Sequence, residues 1–244
     1  MDNLRKYILS TFNMDVDCNA KQYSKNSKLQ LLKKEKYYIY PEEIQYAHLK
    51  TKQAEYEKHI LKATQVWSNI LDNIITFELT DKLWGADIKV FWAKSGRRVA
   101  GKQFIEEFGN HKIPCTTIGI MDMNGRDYES KDVYQTILHE FGHIMGLGHS
   151  DNKKDVMYFG WEGATKPSEN DILVLKLIYT LGQKSYSECQ DYIEEYISQN
   201  KKQNFDIVNS DRNISDEIQN IGNIKKYQLH LQNINVKYPK NRRG

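Results

Sequence analysis

The sequence predicts an α+β domain flanked by polar extensions, and two observations carry that reading. Short segments rich in Ile, Val, Phe, Tyr and Thr recur at Lys36–Tyr40, Ile74–Leu79, Ala86–Ala93 and Thr116–Asp122, as strands do. Between and after them, apolar residues fall at helical spacing over 41–72, 133–144 and 172–181. A chain of 244 residues is long enough for one ordinary domain plus extensions.

Residues 1–35 form a polar, lysine-rich lead-in. Its short apolar patch at Tyr7, Ile8, Leu9 and Phe12 reads as loose structure or a small helix. Lys36–Tyr40 is the first strand. Pro41 then suits the opening turn of a helix, with Glu42 and Glu43 near its positive end. The pattern from Ile44 through Ile60, Ala63, Trp67 and Leu71 makes that helix long, with Trp67 as a core anchor. His48 and His59 on the same helix read as solvated. Asp122 and Asp127 in the run MDMNGRD are either calcium ligands or parts of a turn around Asn124-Gly125. Asp132 helps start the next helix. Pro167–Asp171 starts a further helix with Ile172–Leu181 as its apolar body, and Gly182 is its stop. Residues 183–244 are rich in Lys, Asn and Gln. Their weak periodicity at Cys189, Tyr192, Ile193 and Ile197 predicts one or two helices, docked or mobile. No internal repeat is visible.

Composition excludes several classes. The 35 Lys and Arg against 32 Asp and Glu give a net charge of +3, too little to argue for a nucleic-acid partner. The basic end KYPKNRRG reads as a solvated tail. Cys18, Cys115 and Cys189 are an odd, scattered set and form no disulfide framework. No run reaches the roughly 18 apolar residues of a membrane span. The start MDNLRKYILSTFNMDVDC lacks the long apolar core of a secretory leader. The expectation is a cytoplasmic protein as encoded, or an extracellular one if a leader was removed or export is leaderless. Nothing indicates an oligomeric state.

The chemistry concentrates in His139–His149, HEFGHIMGLGH. Val133, Ile137, Leu138, Phe141 and Ile144 surround its first half at helical spacing, so His139 and His143, four apart, point the same way. Two neutral imidazoles converging from one helical face suit a borderline-soft cation such as zinc. Glu140 stands next to the first ligand, where it can take a proton from a metal-activated water. Gly146 lets the backbone leave the helix in a left-handed conformation, and the turn brings His149 to the metal from another direction. Three protein ligands leave a tetrahedral position open, as in catalytic rather than structural zinc sites.

This pattern resembles the zinc-binding signature of the metzincin metallopeptidases. Ser150 after the third His, and Met157-Tyr158 shortly downstream, resemble the matrixin (matrix-metalloproteinase-like) branch. Phe159 stands where that branch has proline. Phe159 also replaces the metal-reaching tyrosine of the astacin-like and serralysin-like branches. The resemblance covers about residues 37–182.

It implies an α/β/α metzincin-like fold, with a twisted, mostly parallel sheet of about five strands and an antiparallel edge strand. A backing helix, an active-site helix, and a small C-terminal subdomain holding a Met-turn and a final helix complete it. The catalytic domain would span 36–182, its cleft between 36–146 and 147–182, with 1–35 and 183–244 as extensions. Residues 94–115 would be a long loop with a short edge strand near Arg98–Phe104 that pairs with extended protein or peptide substrate.

Met157 would lie beneath the metal without binding it. Gln135 either lines the floor of the specificity pocket or is a solvent-facing helix residue, while Tyr158 and Trp161 fall on the pocket's outer wall. Asp171 would support the turn from below. With His111 the only histidine in 94–115, a second zinc is not indicated, and calcium has no clear motif. Cys18 lacks the neighbours of the family's latency motif and reads as an incidental thiol. Asp15 and Asp17 are further upstream candidates for that role.

The implied activity is a zinc-dependent metalloendopeptidase with one Zn²⁺ on His139, His143 and His149 and with Glu140 as general base. The alternative is a catalytically silent binding protein of the same fold. A narrower version of the first reading is a selective processing enzyme acting on one protein.

Overall fold

Short runs of β-branched and aromatic residues build one five-stranded sheet. In a computed structural model that describes residues 3–12, 31–95, 101–108, 111–160 and 164–207, the strands are β1 (Lys36–Pro41), β2 (Thr76–Leu79), β3 (Ile88–Lys94), β4 (Gly101–Phe108) and β5 (His111–Met121). Their order is β2-β1-β3-β5-β4. All neighbours pair in parallel except β4, which runs antiparallel to β5 at the edge. The expected mixed sheet is therefore present. Cys18, Asp15, Asp17, Trp161, residues 96–100 and the tail from 208 lie outside the described residues, as do the side chains of Phe108, His111 and Lys112.

Tyr37, Ile39, Ile88, Val90, Trp92, Ile118 and Ile120 alternate onto the buried face of this sheet. Two helices cover that face and pack on each other: α2 (Gln53–Ile70) against β2 and α3 (Ser130–Ile144) against β4 and β5. Trp67 is fully buried, as expected, and its indole N–H donates to the Leu138 carbonyl at 2.9 Å. His59 is half-buried rather than simply solvated. Its Nε2 lies 2.8 Å from Ser130 Oγ, and its ring packs against Tyr56 and Tyr134, so it ties α2 to the start of α3. His48 pairs at the surface with Asp127.

Pro41 does not open a helix. It ends β1 opposite Val90, and an extended segment and a 3-10 turn (Ala47–Lys52) precede α2. Gln53 explains the delay. Its side-chain carbonyl accepts the Ile44 N–H at 2.9 Å and its amide donates to the Glu42 carbonyl, closing the segment before the helix begins. The expected long loop also proves to be largely a hairpin, with β4 paired to β5 from Gly101↔Ile118 to Phe108↔His111. Charges at Lys102, Glu106 and Glu107 obscured the alternation, as charged side chains on an edge strand commonly do. Around Asn124-Gly125 the turn reading accounts for Asp122, whose Oδ1 accepts the Asn124 and Arg126 N–H groups at 2.8 and 2.9 Å.

Beyond the sheet lies a second group of helices: α1 (Asn3–Thr11), α4 (Glu169–Leu181) and α5 (Tyr186–Ile207). Ser168 and Asp171 form a capping box at the start of α4. Gly182, at φ +67°, ends that helix as predicted. Both extensions contribute to the core. Leu4, Tyr7, Ile8 and Phe12 from α1 join Cys189, Ile193 and Ile197 from α5 in the same buried cluster.

Candidate metal centre

Helix α3 carries His139, Glu140 and His143, and the chain after it returns His149 to the same point. Gly146, at φ +101°, makes the exit possible, because a Cβ there would be strained. One nitrogen from each of the three rings lies within 4.8 Å of the other two. The His143 and His149 rings stand edge to face, with centroids 4.6 Å apart.

Backbone carbonyls set the tautomers. His139 Nδ1 lies 2.8 Å from the Val156 carbonyl, and His143 Nδ1 lies 2.8 Å from the Leu147 carbonyl. A carbonyl only accepts, so each Nδ1 carries the proton and each Nε2 presents a lone pair. Burial, joined by repulsion from His149, pulls His139 down to about 4. Burial also lowers His143 and His149. All three rings are therefore neutral at ordinary pH, the form that binds metal. His143 Nε2 and His149 Nε2 are only 3.1 Å apart. Nitrogens that close need a shared proton or a cation between them, and a set of three neutral imidazoles suits zinc.

Glu140 is 4% exposed, and its Oε2 has no hydrogen-bond partner among the described residues. Burial pushes its carboxyl up to about 8. A Cβ at Gly101, the first residue of β4, would overlap this carboxylate. The edge strand thus begins directly over Glu140, and Gln103 two residues on donates its amide to the Glu140 carbonyl. Neither Gly101 nor Gln103 was singled out from the sequence. Their contact runs between a sheet edge and a helix, and no local spacing announces it.

Met157 is fully buried and packs against Gly142, where a Cβ would overlap the Met157 sulfur. The methionine therefore packs on the stretch of α3 between His139 and His143. Its turn is held from two sides. Asp155, fully buried, accepts Asn152 Nδ2 at 2.9 Å, Ser168 Oγ at 2.7 Å and the Ser150 hydroxyl. Asp171 accepts the Val156 and Ser168 N–H groups, both at 2.8 Å.

Gln135 is half-buried one turn before His139, and Tyr158 is half-buried beside the exposed Phe159. Cys115 and Cys189 are buried thiols pushed up to about 11 by burial, which leaves them unreactive.

The family model described as Matrixin matches residues 33–180, more than half of the chain. The chain belongs to the matrixin family. That span contains the whole sheet, the three histidines and the methionine turn of this matrixin, and it ends just before the stop of α4. Helices α1 and α5 fall outside it. No curated protein matches the chain. Among the described residues no helix is long and apolar enough to cross a membrane.

Proposed function

We propose that this matrixin is a zinc-dependent metalloendopeptidase whose metal is held by His139, His143 and His149. The observation that carries the reading is the convergence of three neutral ring nitrogens beside a buried carboxylate with an unpartnered oxygen. Bound there, zinc supplies the Lewis acidity that acidifies water and polarises a carbonyl oxygen. Glu140 Oε2 takes the proton from the attacking water and returns it to the leaving amine as the C–N bond breaks. Hydroxide ends on the carbonyl carbon, so one water is consumed and no side-chain nucleophile is needed.

Strand β4, the end strand of the sheet among the described residues, supplies the substrate surface. Its outward N–H and C=O groups offer a ladder to an extended peptide, and Gly101 brings that ladder directly over Glu140. Gln135 and Tyr158 are the described candidates for the pocket that reads a side chain.

A mixed peptide library incubated with the zinc-loaded protein tests this reading. Internal cleavage that stops with a chelator and returns with zinc is expected. Bound zinc with no cleavage of any peptide would favour the silent binding protein instead.

A further inference from the structure

Two of the three ligands owe their placement to helix α3, but His149 lies on an irregular segment whose position must come from elsewhere. Part of that support comes from the N-terminal helix, outside the span the family accounts for. We propose that α1 is a built-in brace of the metal centre, with Ser10 and Thr11 as positioning residues that hold the Gly148–His149 backbone and so aim the third imidazole. The proposal rests on the metal reading above.

Helix α1 is docked rather than laid loosely on the surface. Leu4, Tyr7, Ile8, Thr11 and Phe12 fall at helical spacing on one face and all are buried, Tyr7 and Ile8 completely. Phe12 meets the Tyr186 ring edge-on at 5.6 Å between centroids, and Arg5 pairs with Glu194, so α5 shares the seat with α4.

The last turn of α1 reaches the ligand segment. Gly148 N–H donates to Thr11 Oγ1 at 3.0 Å, and Ser10 Oγ donates to the His149 carbonyl. The Thr11 hydroxyl proton is committed to the Tyr7 carbonyl at 2.9 Å, which turns an oxygen lone pair toward Gly148. The two bonds grip the backbone on both sides of the His149 Cα. A Cβ at Gly148 would come within 2.5 Å of Ser10 and Thr11, so glycine is what lets helix and segment approach this closely. A second contact runs to the floor of the site. Tyr7 O–H donates to Asp171 Oδ1 at 2.8 Å, on the carboxylate that also holds the Val156 N–H.

These bonds go to backbone atoms of the ligand segment and leave its ring nitrogens to the metal. A segment arranged this way supports the site, so its loss weakens metal binding instead of releasing activity. Partners that orient a metal ligand typically contribute about 10- to 100-fold to metal affinity.

The test uses the full chain and measures zinc affinity by competition with a chelating dye, together with the visible spectrum of the Co²⁺-loaded protein. Ser10→Ala and Thr11→Val should each weaken zinc by about 10-fold and together by up to about 100-fold. The Co²⁺ bands should shift with them. Thr11→Ser, which keeps the hydroxyl, should return to within about twofold of wild type if the hydrogen bond is what matters. Ser10→Ala removes a half-buried hydroxyl at a helical position, so it tests the idea even if the double variant fails to fold. Wild-type affinity and spectrum in both single variants would overturn the brace, as would a Thr11→Val defect that Thr11→Ser does not repair. Wild-type protein that binds no zinc would instead sink the metal reading itself.

Discussion

Asp171 Oδ2 accepts the Val156 N–H at 2.8 Å, and the carbonyl of that same Val156 accepts His139 Nδ1 at 2.8 Å. One residue thus joins the start of α4 to the first of the three clustered histidines. The carboxylate cannot shift without moving the turn that fixes the ring's tautomer.

Removing that carboxylate should therefore cost stability before it costs chemistry. Asp171→Ala leaves the Val156 N–H, the Ser168 N–H and the Tyr7 hydroxyl without their acceptor in a buried site. Each orphaned group costs about 1–3 kcal/mol, so a loss of about 3 kcal/mol or more is expected. Urea unfolding of metal-free protein measures it. A loss below about 1 kcal/mol would mean that water or a neighbour replaces the carboxylate.

Glu140→Gln should separate binding from turnover. The amide keeps the volume of the side chain but cannot accept a proton, and a positioned base contributes about 10²- to 10⁴-fold. The expected result is a fall in kcat of that order, with zinc content unchanged. Cleavage at the wild-type rate would remove Glu140 from the mechanism.

Gly101→Ala should damage activity from the opposite wall. The added methyl overlaps the Glu140 carboxylate, so either the base or the start of β4 must shift. A displacement of about 1 Å at a reacting group can cost about 100-fold. Zinc content should stay at the wild-type level, because the three atoms nearest the new methyl all belong to Glu140, which is not one of the proposed ligands. Steady-state kinetics on any peptide the wild type cleaves reads the effect, and an unimpaired variant would contradict the close approach.

Much of this site could be read from spacing alone. The period of Val133, Ile137, Leu138, Phe141 and Ile144 places α3, and the positions of His139, His143 and Gly146 within that period fix their directions. Trp67 and Asp171 also took the structural roles expected of them. What escaped was contact between segments distant in sequence. Helix α1 is a short stretch whose apolar face means little until α5 and α4 supply a surface for it. Ser10, Thr11 and Tyr7 look like ordinary polar and aromatic residues, and only the fold puts them beside Gly148 and Asp171. Pro41 has a fixed φ that suits a helix start and also a strand end, and tertiary pairing with β3 decided between them. Charged side chains hid the alternation of β4, so an edge strand read mostly as loop.

The most direct test is the zinc-to-protein ratio after dialysis, measured for the wild type and for His139→Ala, His143→Ala and His149→Ala. The account predicts about one zinc per chain in the wild type and little or none in each variant, because a catalytic site has only three protein ligands to lose. Full zinc retention in any one of the three variants would show that the imidazoles do not share an ion, and the proposed hydrolase would fall with it.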